Sequence, residues 1–250
     1  MISPATKIRI HKILAQFGVD VRRINPQTSG GAALFQMLKS HGVNCVIDVG
    51  ANEGQYAAGL REIGYKGRII SVEPLTDAYA RLCKASAHDS GWTVIPRTAI
   101  GDRDGSIVIN IAANSGASSS ALPMSDTLLD AAPEIAYIGS ETVPIAKLDS
   151  IHPGWGLEDV EKTFLKIDVQ GFESQVLAGA ATLLSNIRGV QIELSLLPLY
   201  RGQVLALPII QDLIAAGFEL WHLMPEFVDQ KSGRLLQFDA IFFRGPVELP

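Results

Sequence analysis

The sequence predicts an α/β fold: a mostly parallel, doubly wound sheet with helices on both faces. Three observations predict it. Short apolar runs rich in β-branched residues alternate with stretches of helical periodicity. Several of those runs are uniformly apolar, the pattern of strands covered on both faces. The chain has 250 residues, 47% hydrophobic and 19% charged, enough for one large core. The formal net charge of -5 argues against a general nucleic-acid binder, which needs a basic stripe. Two cysteines, Cys45 and Cys83, make no disulfide scaffold and read as buried thiols. No apolar run nears the ~20 residues of a membrane span, and the N-terminus lacks the pattern of a secretory signal. A soluble, cytoplasmic protein is therefore expected.

The elements follow in order. Residues 1–29 form a basic helical extension. Lys7, Arg9, Lys12, Arg22 and Arg23 face a single acid, Asp20, across residues 1–24. Ile10, Ile13, Leu14 and Phe17 fall at helical spacing there. The segment reads either as a helix packed on the domain with a solvated basic face, or as an interfacial helix making peripheral contact with anionic lipid. The main domain spans residues 30–250. A helix over 32–41 leads into the strand Cys45-Val46-Ile47-Asp48-Val49. A helix over 53–63 precedes a strand over 68–72. A helix capped by Thr76 or Asp77 runs to about 87, and a third strand covers 93–100. Residues 101–150 break the rhythm as an insertion: a GDRDG turn, an added strand over 106–112, a Ser/Gly-rich loop at 114–120, and an extended stretch over 143–151. A long excursion of this kind is often functional. The alternation resumes with a strand over 164–169, one long helix over 172–187, a strand over 190–194 and a helix over 208–216. Strands over 218–223 and 238–243 close the sheet as an antiparallel pair at one edge.

In such sheets ligands bind beyond the carboxyl ends of the strands, so the informative residues follow each strand. The first strand exits as Asp48-Val49-Gly50-Ala51-Asn52-Glu53-Gly54. Gly50 and Gly54 allow a tight turn and close ligand approach. The pattern is not GxGxxG, which disfavours a pyrophosphate-bearing dinucleotide. Asp48 suits a ligand with a cationic end. The second strand exits at Glu73, whose carboxylate can accept the two hydroxyls of a ribose, at about the ~20-residue spacing of a nucleoside site. Asp168 and Glu193 end two further strands. They aim two carboxylates at one place, to hold a divalent cation or to divide into base and orienting group. His222 is a third candidate base. No histidine pairs with Cys or another His at metal-ligand spacing, so zinc is not expected.

The segments VIDVGANEGQY at 46–56, SVEP at 71–74, AIGDRDG at 99–105, LKIDVQGFESQVLAGA at 165–180 and ELSLLPLYRGQ at 193–203 resemble, in order and spacing, the FkbM family of methyltransferases. That family is similar in fold to the seven-stranded, Rossmann-like class I enzymes that use S-adenosylmethionine. The resemblance implies that Asp48, Gly50, Asn52 and Gly54 form the cofactor loop, with the acid near the methionine amine. It implies that Glu73 binds the ribose, that Asp102 lies near the adenine, and that Asp168 faces the reacting groups. Tyr56 and Pro74, in the same motifs, are assigned to the cofactor too. Gln170 departs from the family, where many members have Glu. The implied activity is O-methylation of a hydroxyl on a sugar, glycolipid or related natural product. Asp168, Glu193 or His222 would take the proton, and a Mg²⁺ ion could assist. The alternatives are a nicotinamide-dependent oxidoreductase and a non-catalytic sugar or lipid binder. The loop at 112–140 and Trp92, Trp155 and Trp221 are candidates for sugar contact, with core packing the competing role for the tryptophans.

Overall fold

A computed structural model describes residues 4–19, 21, 23–157 and 162–245. Asp20 and Arg22 lie outside the described residues. The chain runs α1 (Pro4–Ala15), α2 (Gly30–Ser40), β1 (Cys45–Val49), α3 (Gln55–Glu62), β2 (Arg68–Val72), α4 (Thr76–Ser86), β3 (Trp92–Val94), β4 (Ala99–Ile100) and β5 (Gly105–Ala112). It continues with α5 (Asp126–Ala131), β6 (Tyr137–Ala146), α6 (Leu148–Ile151), β7 (Thr163–Ile167), α7 (Glu173–Ala178), α8 (Ala181–Leu184), β8 (Gly189–Ser195), α9 (Ala206–Ala215), β9 (Phe218–Val228) and β10 (Leu235–Arg244).

Seven strands form the main sheet in the order β3-β2-β1-β7-β8-β10-β9. The first five are parallel, and β10 runs antiparallel to both β8 and β9. All five residues of β1 and of β7 are buried, because helices cover both faces. Ile47, Val49, Leu165, Ile167, Val190 and Ile192 pack with Val176, Leu183, Ile209 and Leu213 on one face. Val46, Ile69 and Phe164 pack with Leu34, Leu38, Ala57 and Leu60 on the other. Chain order reverses between β1 and β7, so a crevice opens where their carboxyl ends diverge.

Four expectations differ. The extended stretch expected over 143–151 stops at Ala146, and Leu148–Ile151 is the helix α6. The strand expected over 93–100 is two short pieces. β3 ends at Val94, Pro96 offers no N–H to a ladder, and Ala99–Ile100 join a separate three-stranded sheet, β4-β6-β5. The long helix expected over 172–187 breaks between α7 and α8. There the Asp149 carboxylate accepts the N–H groups of Thr182 (2.8 Å) and Leu183 (2.9 Å), capping a fresh helix from a distant segment. Neither Thr76 nor Asp77 caps α4. Its N-cap position is Leu75, and Thr76 is bonded to Glu141 through both its N–H and its hydroxyl.

Of the apolar residues at helical spacing in the extension, Leu14 is half-buried and the others are exposed. Ile10, Ile13 and Phe17 are 42, 49 and 77% exposed. Among the described residues no helix is long and apolar enough to cross a membrane.

Candidate active site

The sharp turn after β1 builds the floor of the crevice. Gly50 has φ of +78°, and a Cβ there would sit 1.8 Å from the Asp168 carbonyl oxygen, so only glycine lets the exits of β1 and β7 press together. Asn52 also takes positive φ, 46°, and donates its backbone N–H to Glu73 Oε2 at 2.9 Å. Leu75 N–H donates to Glu73 Oε1 at 2.9 Å. The Glu73 carboxylate is thus fixed by two backbone donors. Each oxygen still has a lone pair free for a ligand hydroxyl. Burial pushes its pKa up to about 7, against the pull of those two N–H groups. The buried side-chain oxygen of Asn52 has no hydrogen-bond partner.

These residues line a cavity of about 600 Å³. One end is apolar, walled by Ala99, Ile100, Ile107, Ile109, Ile145 and Phe172, largely from the small second sheet. Residues 116–121 of the expected functional loop also reach the cavity through Gly116, Ala117, Ser119, Ser120 and Ala121. The other end is polar: Lys166, Asp168, Gln170, Gln191, Glu226 and Asp239, with Tyr56 beside them.

A row of polar side chains crosses the sheet beneath that polar end. Trp92 Nε1 donates to Ser71 Oγ (2.9 Å), and Ser71 Oγ donates to Asp48 Oδ2 (3.4 Å). Asp48 Oδ1 lies 3.4 Å from Lys166 Nζ, an ionic contact without hydrogen-bond geometry. Lys166 Nζ also reaches Asp168 Oδ2 (3.3 Å) and sits 5.3 Å from the centre of the Tyr56 ring. Tyr56 donates its hydroxyl to Gln191 Oε1 (2.8 Å), and Gln191 Nε2 donates to Asp239 Oδ2 (2.5 Å). Burial works against the Lys166 ammonium, but Asp168, Asp48 and Asp239 outweigh it and raise its pKa. Burial raises the Asp48 pKa, with Lys166 opposing.

Of the residues singled out from sequence, Gly50, Asn52, Tyr56, Glu73, Pro74 and Asp168 line the cavity. Five do not. Asp48 is fully buried and lies 3.4 Å from Lys166 Nζ. Gly54 is the N-cap of α3, packed on Trp92. Asp102 lies outside the cavity wall and contacts Arg103 at 3.2 Å. His222 sits on β9 opposite Ile241, away from the cavity lining. Glu193 lies behind the site: its Oε2 accepts from Gln170 Nε2 (2.8 Å) and Gln237 Nε2 (2.9 Å). None of the three tryptophans lines the cavity; Trp92 and Trp221 belong to the core on one face and Trp155 packs against the other.

The expected Mg²⁺ does not fit these residues. Gln170 Nε2 stands between the two carboxylates, 2.8 Å from Asp168 Oδ1 and 2.8 Å from Glu193 Oε2, where a cation would have to sit. Among the described residues no three His, Cys, Asp or Glu side chains gather as metal ligands.

Sequence reasoning missed Lys166, Gln191, Glu226 and Asp239. The available signal was a charged residue inside an otherwise apolar strand, as in Leu165-Lys166-Ile167 and Phe238-Asp239-Ala240.

Residues 48–220 match the family model described as the Methyltransferase FkbM domain. The chain belongs to the FkbM methyltransferase family. This FkbM protein is similar to the 2-O-methyltransferase NoeI of Sinorhizobium fredii (strain NBRC 101917 / NGR234), at 29% identity over 189 residues, covering 74% of this chain and 76% of that one. Among solved structures, Methyltransferase FkbM from Methylobacillus flagellatus KT is 16% identical with a TM-score of 0.48, over 80% of this chain. The match spans only 43% of that protein's length. The O-methyltransferase from Bacillus cereus in complex with SAH is 12% identical with a TM-score of 0.46, covering 98% of this chain and 93% of that one.

Proposed function

We propose that this FkbM protein is an S-adenosylmethionine-dependent O-methyltransferase acting on a hydroxyl of a sugar, glycolipid or related natural product. One observation carries the reading. A single cavity joins a nucleoside-like end, Glu73 and Asn52 beside an apolar slot, to a polar end rich in carboxylates and amides. Its volume of about 600 Å³ suits small molecules, whose sites run ~300–1,000 Å³.

The residues divide the work. Glu73 accepts the ribose hydroxyls, and the unpartnered oxygen of Asn52 accepts a further donor. Phe172 and the isoleucines of the second sheet hold the adenine by apolar contact. When bound, S-adenosylmethionine supplies an electrophilic methyl on a sulfonium. In-line displacement on it needs alignment above all. Asp168 stands at the junction of the two ends, both oxygens engaged by Lys166 and Gln170. Glu193 acts through Gln170 and is a positioning residue. A lipid-linked acceptor also accords with α1, whose bare apolar residues neighbour exposed Arg9 and Lys12 and suit an anionic membrane surface.

Calorimetric titration with S-adenosylmethionine, S-adenosylhomocysteine and NADH tests the cofactor. Micromolar binding of the first two and none of NADH is expected; NADH alone binding would overturn the reading. Transfer of labelled methyl to a panel of methyl glycosides and to glycerol tests the acceptor class.

A further inference from the structure

We propose that Asp239 takes the proton from the attacking hydroxyl of the acceptor and that Glu226 holds a neighbouring hydroxyl, so that the acceptor is a vicinal diol. The inference rests on the methyltransferase reading and assigns the acceptor half of the same cavity.

The argument starts from occupancy of lone pairs. Asp168 is the evident acid of the site, but a cation holds one of its oxygens and an amide the other. Asp168 therefore has no oxygen without a donor. Asp239 receives one neutral donor, Gln191 Nε2 on Oδ2. Among the described residues nothing donates to its Oδ1. Gln191 cannot flip away, because its oxygen accepts from the Tyr56 hydroxyl. Asp239 is therefore held in one orientation with an oxygen to spare, in the wall of the cavity.

Glu226 enters from the neighbouring strand. Phe238 faces Pro225 and Gln237 faces Phe227, so Glu226 is the extra residue of a β-bulge. Bulges recur beside active sites, where they aim a side chain. Glu226 lines the cavity, and no described residue donates to or pairs with it. Two carboxylates from adjacent strands, one oriented and one unengaged, suit two adjacent hydroxyls of a polyol. Lone hydrophobic acceptors would leave Glu226 unused.

The surroundings set the proton balance. Asp239 faces Lys166 and Asp168 from β7 and its exit, Glu193 from β8, Glu226 from β9 and Tyr56 from α3. Burial and Asp168 push Asp239 up to about 6, with Gln191 and Lys166 opposing. Burial, Asp239 and Asp168 push Glu226 up to about 7. In the step, the acceptor oxygen forms a bond to the methyl carbon as the sulfur–methyl bond breaks. That bond's electron pair goes to sulfur, giving the thioether product. The hydroxyl proton passes to Asp239 and then to water.

The test compares Asp239→Asn, Glu226→Gln and the unaltered chain. Acceptors are the best methyl glycoside of the panel, its analogue lacking one neighbouring hydroxyl, and glycerol. Asp239→Asn should lower kcat at least 100-fold, abolish the acid limb near pH 6, and leave S-adenosylhomocysteine affinity within two-fold. Glu226→Gln should raise acceptor KM about ten-fold with kcat little changed, and should have no effect with the deoxy analogue. An Asp239→Asn variant that keeps turnover and its acid limb overturns the base assignment. Equal sensitivity of both glycosides to Glu226→Gln overturns the diol. If the unaltered chain binds S-adenosylhomocysteine but methylates no acceptor, the acceptor class fails and this inference with it. If it binds no cofactor, the methyltransferase reading itself fails.

Discussion

The Lys166 ammonium lies 3.4 Å from the Asp48 carboxylate, with side-chain exposures of 8 and 0%. That contact makes Asp48 part of the sheet's interior. Removing one member of a buried ion pair leaves the other uncompensated and costs ~3–5 kcal/mol. Asp168 and Asp239 still face Lys166, so the lower figure applies. Asp48→Ala, which removes both the partner of Lys166 and the acceptor of Ser71, is expected to lose about 3 kcal/mol, a fall in Tm of roughly 10 °C for a chain of this size. Urea unfolding and S-adenosylhomocysteine titration check it together. A ten-fold loss of affinity at unchanged stability would return Asp48 to the cofactor.

Glu73 gives a prediction in two parts. Loss of its ribose contacts in Glu73→Gln should weaken cofactor affinity ten-fold or more, about 1.4 kcal/mol. The second part concerns the ligand-free protein. The folded pKa of Glu73 is raised from 4.5 to about 7, so folding favours its protonated form. Its contribution to stability is complete below pH 4.5 and is lost as pH rises through 7. The loss is about 3 kcal/mol at ~1.36 kcal/mol per pH unit. Urea midpoints at pH 4.5 and 8 should therefore differ more in the unaltered chain than in Glu73→Gln. Equal differences would mean the carboxyl is solvated in the folded state.

Gln170 is the donor shared by Asp168 and Glu193, and the Tyr200 hydroxyl donates to its oxygen at 2.6 Å. Burial, with Asp168 and Glu173 nearby, raises the Glu193 pKa well above the ordinary carboxylate range. Gln170→Glu replaces the donor with a third carboxyl. At pH 5 a shared proton can restore the hydrogen bonds; as pH rises that proton is lost and like charges meet. The variant should match the unaltered chain in unfolding at pH 5 and lose ~2 kcal/mol at pH 8. A pH-independent difference would show that the bridge matters only sterically.

What the sequence made legible was local to the chain. The β1 turn and Glu73 could be placed at the cavity because each follows the end of a strand. The closing antiparallel pair followed from two strands with no helix between them. What it hid depends on lateral register. Lys166 stands opposite Gln191 on β8, and Gln191 opposite Ile241 on β10, two residues along from Asp239, so residues far apart in sequence share one face of the sheet. Asp102 is not among the cavity-lining residues, for the converse reason. Its turn is adjacent in sequence to the cavity-lining Ala99 and Ile100 but points its side chain to Arg103. The break after α7 was hidden because its cap, Asp149, comes from a distant segment.

The last prediction concerns α1 and the turn that follows it. Ile10, Ile13 and Phe17 stay exposed, and Arg9 and Lys12 are exposed with them. Residues 1–24 carry a net charge of +4 within a chain of -5. Apolar side chains beside cations fit the boundary of an anionic bilayer, where burial and Coulomb attraction add. The unaltered chain should sediment with phosphatidylglycerol-containing vesicles and not with pure phosphatidylcholine. Phe17→Glu together with Ile13→Glu should abolish sedimentation while leaving S-adenosylhomocysteine affinity within two-fold, because neither residue lines the cavity. Raising salt to 0.5 M should weaken the vesicle contact, since exposed charges are screened over less than ~8 Å there. Equal sedimentation with both lipids, or none with either, would remove the membrane as the partner of this helix.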